Sequence, residues 1–222
     1  MNIITRKLIA KELYVNRWFI AGGAVSGVIS VLIAATGKMG FNIGALTWLT
    51  TIIATGVMLG LYGIMNERKE HALQFVLSLP LSIADYVRAK MLGLTACFLV
   101  MWLVSSAAAL LLVFTRDGIP DGIAPFTVLL SVFMLANFIV VLCGSMHAQS
   151  EALNSAVIVV TNMGVSIFMF TVAPLPGIEK FMQGPEPVWS STFWIVLGCE
   201  LAVLLIAFTL PFLLAARRRD FL

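Results

Sequence analysis

The chain has 222 residues, of which 60% are hydrophobic and 11% charged, with a formal net charge of +3 and a mean hydropathy of +1.02. A soluble domain needs about 25% charged residues to cover its surface. Lipid must therefore solvate most of this exterior, and a soluble globular domain is excluded.

Segment 1–17, MNIITRKLIAKELYVNR, mixes basic and large apolar residues. It predicts an N-terminal interfacial helix. A basic topology anchor is the alternative, because the helical projection is not cleanly two-faced. The first apolar run, 18–36, is followed directly by further spans and reads as a retained helix rather than a cleaved signal. Within it Gly23 and Gly27 form a small-xxx-small face, suited either to a dimer contact or to packing inside one subunit.

A bilayer core roughly 30 Å thick takes about 20 apolar residues as a helix. Further runs of that length lie at about 43–65, 91–114, 123–146, 153–175 and 192–214, which predicts six transmembrane helices. Runs such as LVMWLVSSAAALLLVF lack the alternation of a barrel strand. Cys97, Cys143 and Cys199 each lie inside an apolar run, without disulfide or metal spacing.

Between the second and third runs lies the longest charged stretch, MNERKEHALQFVLSLPLSIADYVRAK, residues 65–90. From Glu67 it holds good helix formers until Pro80 forbids continuation. Ser82 then stands three residues before Asp85, the spacing of a capping box that restarts a helix into the third run. Leu73, Phe75, Val76, Leu77 and Leu79 put five large apolar groups in seven residues, for burial either among lipid headgroups or in the groove of a protein partner.

The connection at 147–152 carries His147, Gln149 and Glu151 and no lysine or arginine. It reads as a secondary contact or a solvated turn. Segment 174–191, PLPGIEKFMQGPEPVWSS, with its prolines and Trp189, predicts a short outer-face helix or re-entrant hairpin. Glu200 lies inside the sixth run. A charge at mid-helix costs about 2.5–3.5 kcal/mol on insertion scales, so it faces a cavity, pairs or is neutral. Glu200 is either a pathway residue or a structural one, hydrogen-bonded to a neighbouring helix or to Asn137 or Asn162, and these three are the candidates for a substrate path.

Eleven of the fourteen lysines and arginines fall in 1–17, 66–90 and the tail, against Lys38, Arg116 and Lys180 on the other side. Six spans and this bias place both termini in the cytoplasm and the chain in the inner or plasma membrane, as one membrane domain over 1–222. There is no phosphate-binding loop: ATGKMG at 35–40 lacks the leading glycine and the following Ser/Thr. Ser145 and His147 point about 200° apart on a helix, so they make no nucleophile–base pair. No paired metal-ligand spacing occurs. The chain is therefore expected to be no enzyme by itself.

The stretch ERKEHALQFVLSLPLSIADYVRAK resembles the first cytoplasmic loop of type-2 ABC exporter permeases, matching at Glu67, Leu73, Leu77, Pro80, Ser82 and Lys90, with His71-Ala72 where that family has Gly-Thr. The six spans, the basic N-terminal segment and the proline-bearing loop 174–191 are similar to the family's architecture. The resemblance implies a coupling helix that docks an ATPase through Glu67, Glu70, Leu73, Phe75, Val76, Leu77, Leu79 and Pro80, with His147, Gln149 and Glu151 as a second contact. It implies two separate ATPase subunits that hold the ATP and magnesium, a second permease copy or homologue, and a surround of lipid, with no nucleic-acid partner. The expected fold is thus an all-α integral membrane protein of six transmembrane helices, an interfacial helix and a cytoplasmic coupling helix. The implied function is ATP-driven export of an amphipathic or hydrophobic drug, peptide or lipid by alternating access. The alternatives are a proton- or ion-coupled carrier using Glu200 and a non-transporting immunity or sensor subunit.

Overall fold

The computed structural model describes residues 3–66, 82–148 and 150–217. Among these the regular structure is helical throughout. Helix α1 spans Ile3–Val15, α2 Arg17–Ala34 and α3 Lys38–Gly60, which runs on as a π-helix over Leu61–Asn66. Helix α4 spans Ile83–Thr115, and a 3-10 turn at Asp121–Ile123 leads into α5, Ala124–His147. Then come α6 at Glu151–Val172, α7 at Pro176–Met182 and α8 at Ser191–Arg217.

Six of these stretches are long and apolar enough to cross a membrane, at the positions expected from the sequence. The chain is a multi-pass membrane protein. Boundaries differ most at α4. Its 33 residues rise about 50 Å at 1.5 Å each, well beyond a 30 Å bilayer core. The cap at Ser82 starts the helix two turns before the apolar run begins, and no proline or glycine pair interrupts it there.

Helix α5 is the axis of the bundle. Most of its apolar stretch is buried, whereas most of that of α6 and of α8 is exposed, so the others wrap around it. Its Phe138 ring stacks on Phe98 of α4 at 4.0 Å between centroids, and its Phe133 stacks on Phe168 of α6 at 4.2 Å. Helices α2 and α3 form a close hairpin laid against α4, and α8 packs along α5 and α4. Trp48 Nε1 of α3 donates to the Ser105 carbonyl of α4 at 3.2 Å, and Trp102 Nε1 of α4 donates to the Ser131 carbonyl of α5 at 2.7 Å. Both bonds satisfy an indole N–H that lipid could not.

At the end away from the termini, segment 174–191 takes the first of its two expected forms, a short helix. Pro176 sits in its first turn, where a missing N–H leaves no bond unmade. The Gly122 amide donates to the Gly184 carbonyl at 3.0 Å, and a side chain at Gly122 would strike the Phe181 carbonyl. Two connections are thereby stitched through backbone alone.

Candidate functional site

The docking residues expected from the sequence (Glu67, Glu70, Leu73, Phe75, Val76, Leu77, Leu79 and Pro80) lie outside the described residues, as does Gln149. Both flanks of 67–81 are described, and their geometry is specific. On the C-terminal flank, Ser82 Oγ accepts from the Asp85 amide at 3.1 Å and donates to Asp85 Oδ2 at 2.8 Å. The restart after Pro80 is thus a capped helix start. Arg88 and Asp85 form an exposed ion pair at 3.7 Å one turn further on.

Lys90 is not a free surface cation. It is 3% exposed, and its Nζ lies 2.7 Å from Glu12 Oε1 of α1 and 2.7 Å from the Gly63 carbonyl of the π-helix. Lys90, counted in the sequence among the basic residues of the cytoplasmic side, is one half of a buried ion pair. One ammonium ties together α1, the end of the second span and the start of the third. Gly63 lies on the N-terminal flank of 67–81 and Lys90 on the C-terminal flank, so this latch joins the two flanks.

The local sequence explains the latch. A π-helix widens the turn and leaves carbonyls free of their usual partners, and Gly63 O is taken by Lys90. A side chain at Gly63 would press within 2.6 Å of Leu94 Cδ2, so glycine lets α4 approach. Helix α1 buries Thr5 and Glu12, with Ile9 partly buried on the same stripe and Asn16, just past its end, buried in line with them. These positions are spaced four, three and four apart, which is one face of a helix. Asn16 Nδ2 donates to the Glu12 carbonyl at 2.9 Å, closing the end of that face. Helix α1 therefore packs on α4 through a polar stripe. Its outward side carries Arg6, Lys7, Lys11 and Tyr14.

The other candidates are scattered. His147 Nδ1 bonds the Cys143 carbonyl at 2.8 Å, while Ser145 Oγ is buried without a partner, so the two make no catalytic pair. Glu151 opens α6 behind a Ser150 cap. Gly23 faces Thr55 and Met101, and Gly27 faces Ser105, each too close for a side chain. Of the two uses their spacing allows, the stripe packs inside one chain. Asn137 Nδ2 donates to Asn162 Oδ1 at 3.2 Å, joining α5 to α6. Glu200 is 6% exposed and neither of its oxygens has a hydrogen-bond partner. The structural option, a bond from Glu200 to Asn137 or Asn162, is not made; the two asparagines bond each other.

An apolar groove of about 630 Å³ runs between α5, α6 and α8, toward the end that carries the termini. A second cleft of about 520 Å³ lies at the opposite end, among Lys38, Asn42, Arg116, Asp117 and Gln183. The latch is hard to see in the sequence because Glu12 reads as one charge in a basic segment. The four-three-four spacing of Thr5, Ile9, Glu12 and Asn16 is the signal that points to it. No protein-family model, curated protein or solved structure matches this chain.

Proposed function

We propose that this chain is the membrane-spanning subunit of an ATP-driven exporter of the type-2 ABC kind, working with separate ATPase subunits. The observation that carries the reading is the Lys90 latch at the base of segment 67–81. An element that docks a motor must pass force into the spans. Here the two described flanks of the segment, through Gly63 and Lys90, meet at one buried ammonium shared with α1. A push on 67–81 would move the π-helix, the start of α4 and α1 together, because breaking a buried pair is strongly unfavourable.

The resemblance of 67–90 to the permease loop supports the same reading, as do the five large apolar side chains between Leu73 and Leu79. The bias of basic residues toward the end with the termini favours a cytoplasmic position for that end. Removing Lys90 from the tally leaves the bias intact.

The test is affinity purification of the tagged chain from its native membranes in mild detergent, followed by ATP hydrolysis in the eluate. The wild type is expected to bring down a phosphate-loop protein and magnesium-dependent hydrolysis. Phe75→Asp with Leu79→Asp is expected to lose both while the chain still elutes as a monodisperse peak. Hydrolysis that survives the double substitution, or a wild-type eluate without any, overturns the proposal.

One observation favours a second reading. The buried, unpartnered Glu200 suits a proton-coupled carrier. That reading requires uptake into vesicles driven by a pH gradient without nucleotide, abolished by Glu200→Gln.

A further inference from the structure

We infer that Glu200 and the apolar groove next to it bind a cationic amphiphile, with the ammonium on the carboxylate and the alkyl chain along the groove. As a statement about the transported substrate, this rests on the exporter reading above.

Charge complementarity selects the occupant. Among the described residues two carboxylates are buried, Glu12 and Glu200, and one lysine or arginine, Lys90. Lys90 is spent on Glu12. The bundle interior thus offers Glu200 no cation of its own, and its two oxygens accept nothing. A carboxylate taken out of water without donors is unfavourable until it takes up a proton or a donor or cation arrives.

Position links the charge to the groove. Glu200, Val203, Ala207 and Leu210 are spaced three, four and three apart, so they share one face of α8. Val203, Ala207 and Leu210 line the groove, with Val140 of α5 and Val157 of α6 opposite. The hydroxyl of Thr161, also on that wall, is occupied by the Val157 carbonyl. The groove therefore presents hydrocarbon to its occupant, and Glu200 lies one turn of α8 beyond Val203, the last lining residue on that helix. The span from Glu200 to Leu210 is about 15 Å at 1.5 Å per residue, and the volume lies within the usual range for ligand sites, about 300–1,000 Å³.

A second unpartnered group favours an ammonium with N–H donors over a quaternary one. Ser106 Oγ of α4 is buried without a partner. It lies nine residues inside the end of α4 at Thr115, and Glu200 lies nine residues inside the start of α8 at Ser191. The two helices pack on each other, and counting residues from those ends puts the two groups at similar depth. A primary ammonium has three protons to give, enough for both. In this conformation the carboxylate is closed off, so binding requires α8 to move before an amine reaches it; Pro211 already removes one hydrogen bond from that helix.

The test uses the full chain in phosphatidylcholine nanodiscs, without any ATPase, and tritiated dodecylamine as probe. Saturable binding is expected, displaced by unlabelled dodecylamine roughly ten-fold or more better than by dodecanol, the scale of a charge-assisted hydrogen bond. Dodecyltrimethylammonium is expected to fall between them. Glu200→Gln should erase the preference for the amine, and Ala207→Trp should weaken amine and alcohol alike by filling the groove. If Glu200→Gln does not fold, Ser106→Val takes its place and should reduce the preference for dodecylamine over dodecyltrimethylammonium. A wild type that binds dodecanol as well as the amine assigns the groove to lipid and overturns the inference. So does an unchanged preference in Glu200→Gln. Amine binding with no ATPase in native eluates sinks the exporter reading alone; a coupled ATPase with no amine preference sinks this site alone.

Discussion

Glu12 and Glu200 are both buried carboxylates in a chain whose surface is mostly hydrocarbon, at 4% and 6% exposure. Glu12 meets an ammonium at 2.7 Å, on a helix held by its own polar stripe. Glu200 meets nothing, on a helix that is mostly exposed and borders a groove. In the first region the carboxylate is consumed by the fold. In the second it is left over. The contrast teaches where to look for work: a satisfied buried charge fixes geometry, whereas an unsatisfied one is free to answer a ligand.

The comparison can be broken by giving each glutamate the other's surroundings. Lys90→Met should turn Glu12 into a second unpartnered carboxylate. Loss of one partner from a buried pair costs roughly 3–5 kcal/mol, so the protein should show a sharply lower midpoint in fluorescence-detected thermal unfolding. Adding Glu12→Leu to that background should recover most of the loss, since an apolar pair carries no desolvation cost. A double variant as unstable as Lys90→Met would show that the pair is not what holds α1.

Ser106→Lys should do the reverse, supplying Glu200 with a cation at its own depth. The expected outcome is a folded protein whose dodecylamine binding falls to the dodecanol level. Retained amine selectivity would mean that the carboxylate is not the ammonium's partner. The smallest effect belongs to the cap on the flank of the charged segment. Ser82→Ala should cost about 1 kcal/mol, visible as faster hydrogen exchange at the Asp85 and Tyr86 amides with the rest of α4 unchanged.

The spans are legible in the sequence because a helix-forming apolar run of bilayer length has its most stable place in lipid. The Ser82 restart is legible too, since a proline followed by a serine and an acid three residues later is a local signal. The docking of α1 is not legible by the usual measure. Its buried face is Thr5, Ile9, Glu12 and Asn16, so an amphipathicity test looks for hydrocarbon on a side that carries polar groups. Lys90 misleads for the same reason: a lysine at the end of a span is most simply a topology charge, and its partner lies 78 positions away. Asn137, Asn162 and Glu200 stand out as polar residues in spans. Which of them pair depends on the rotation of α5, α6 and α8, which no local pattern encodes.

The most direct measurement sets Glu12→Met beside Glu200→Met, two substitutions of like volume that remove the charge and both acceptors. Thermal unfolding of the purified variants in one detergent is the readout. Glu12→Met leaves Lys90 buried without its counterion, and its midpoint should fall on the order of 10 °C. Glu200→Met replaces an unsatisfied carboxylate with hydrocarbon, and its midpoint should hold or rise. Equal losses, or a larger loss at Glu200, would contradict the assignment of a structural role to the first carboxylate and a ligand-binding role to the second.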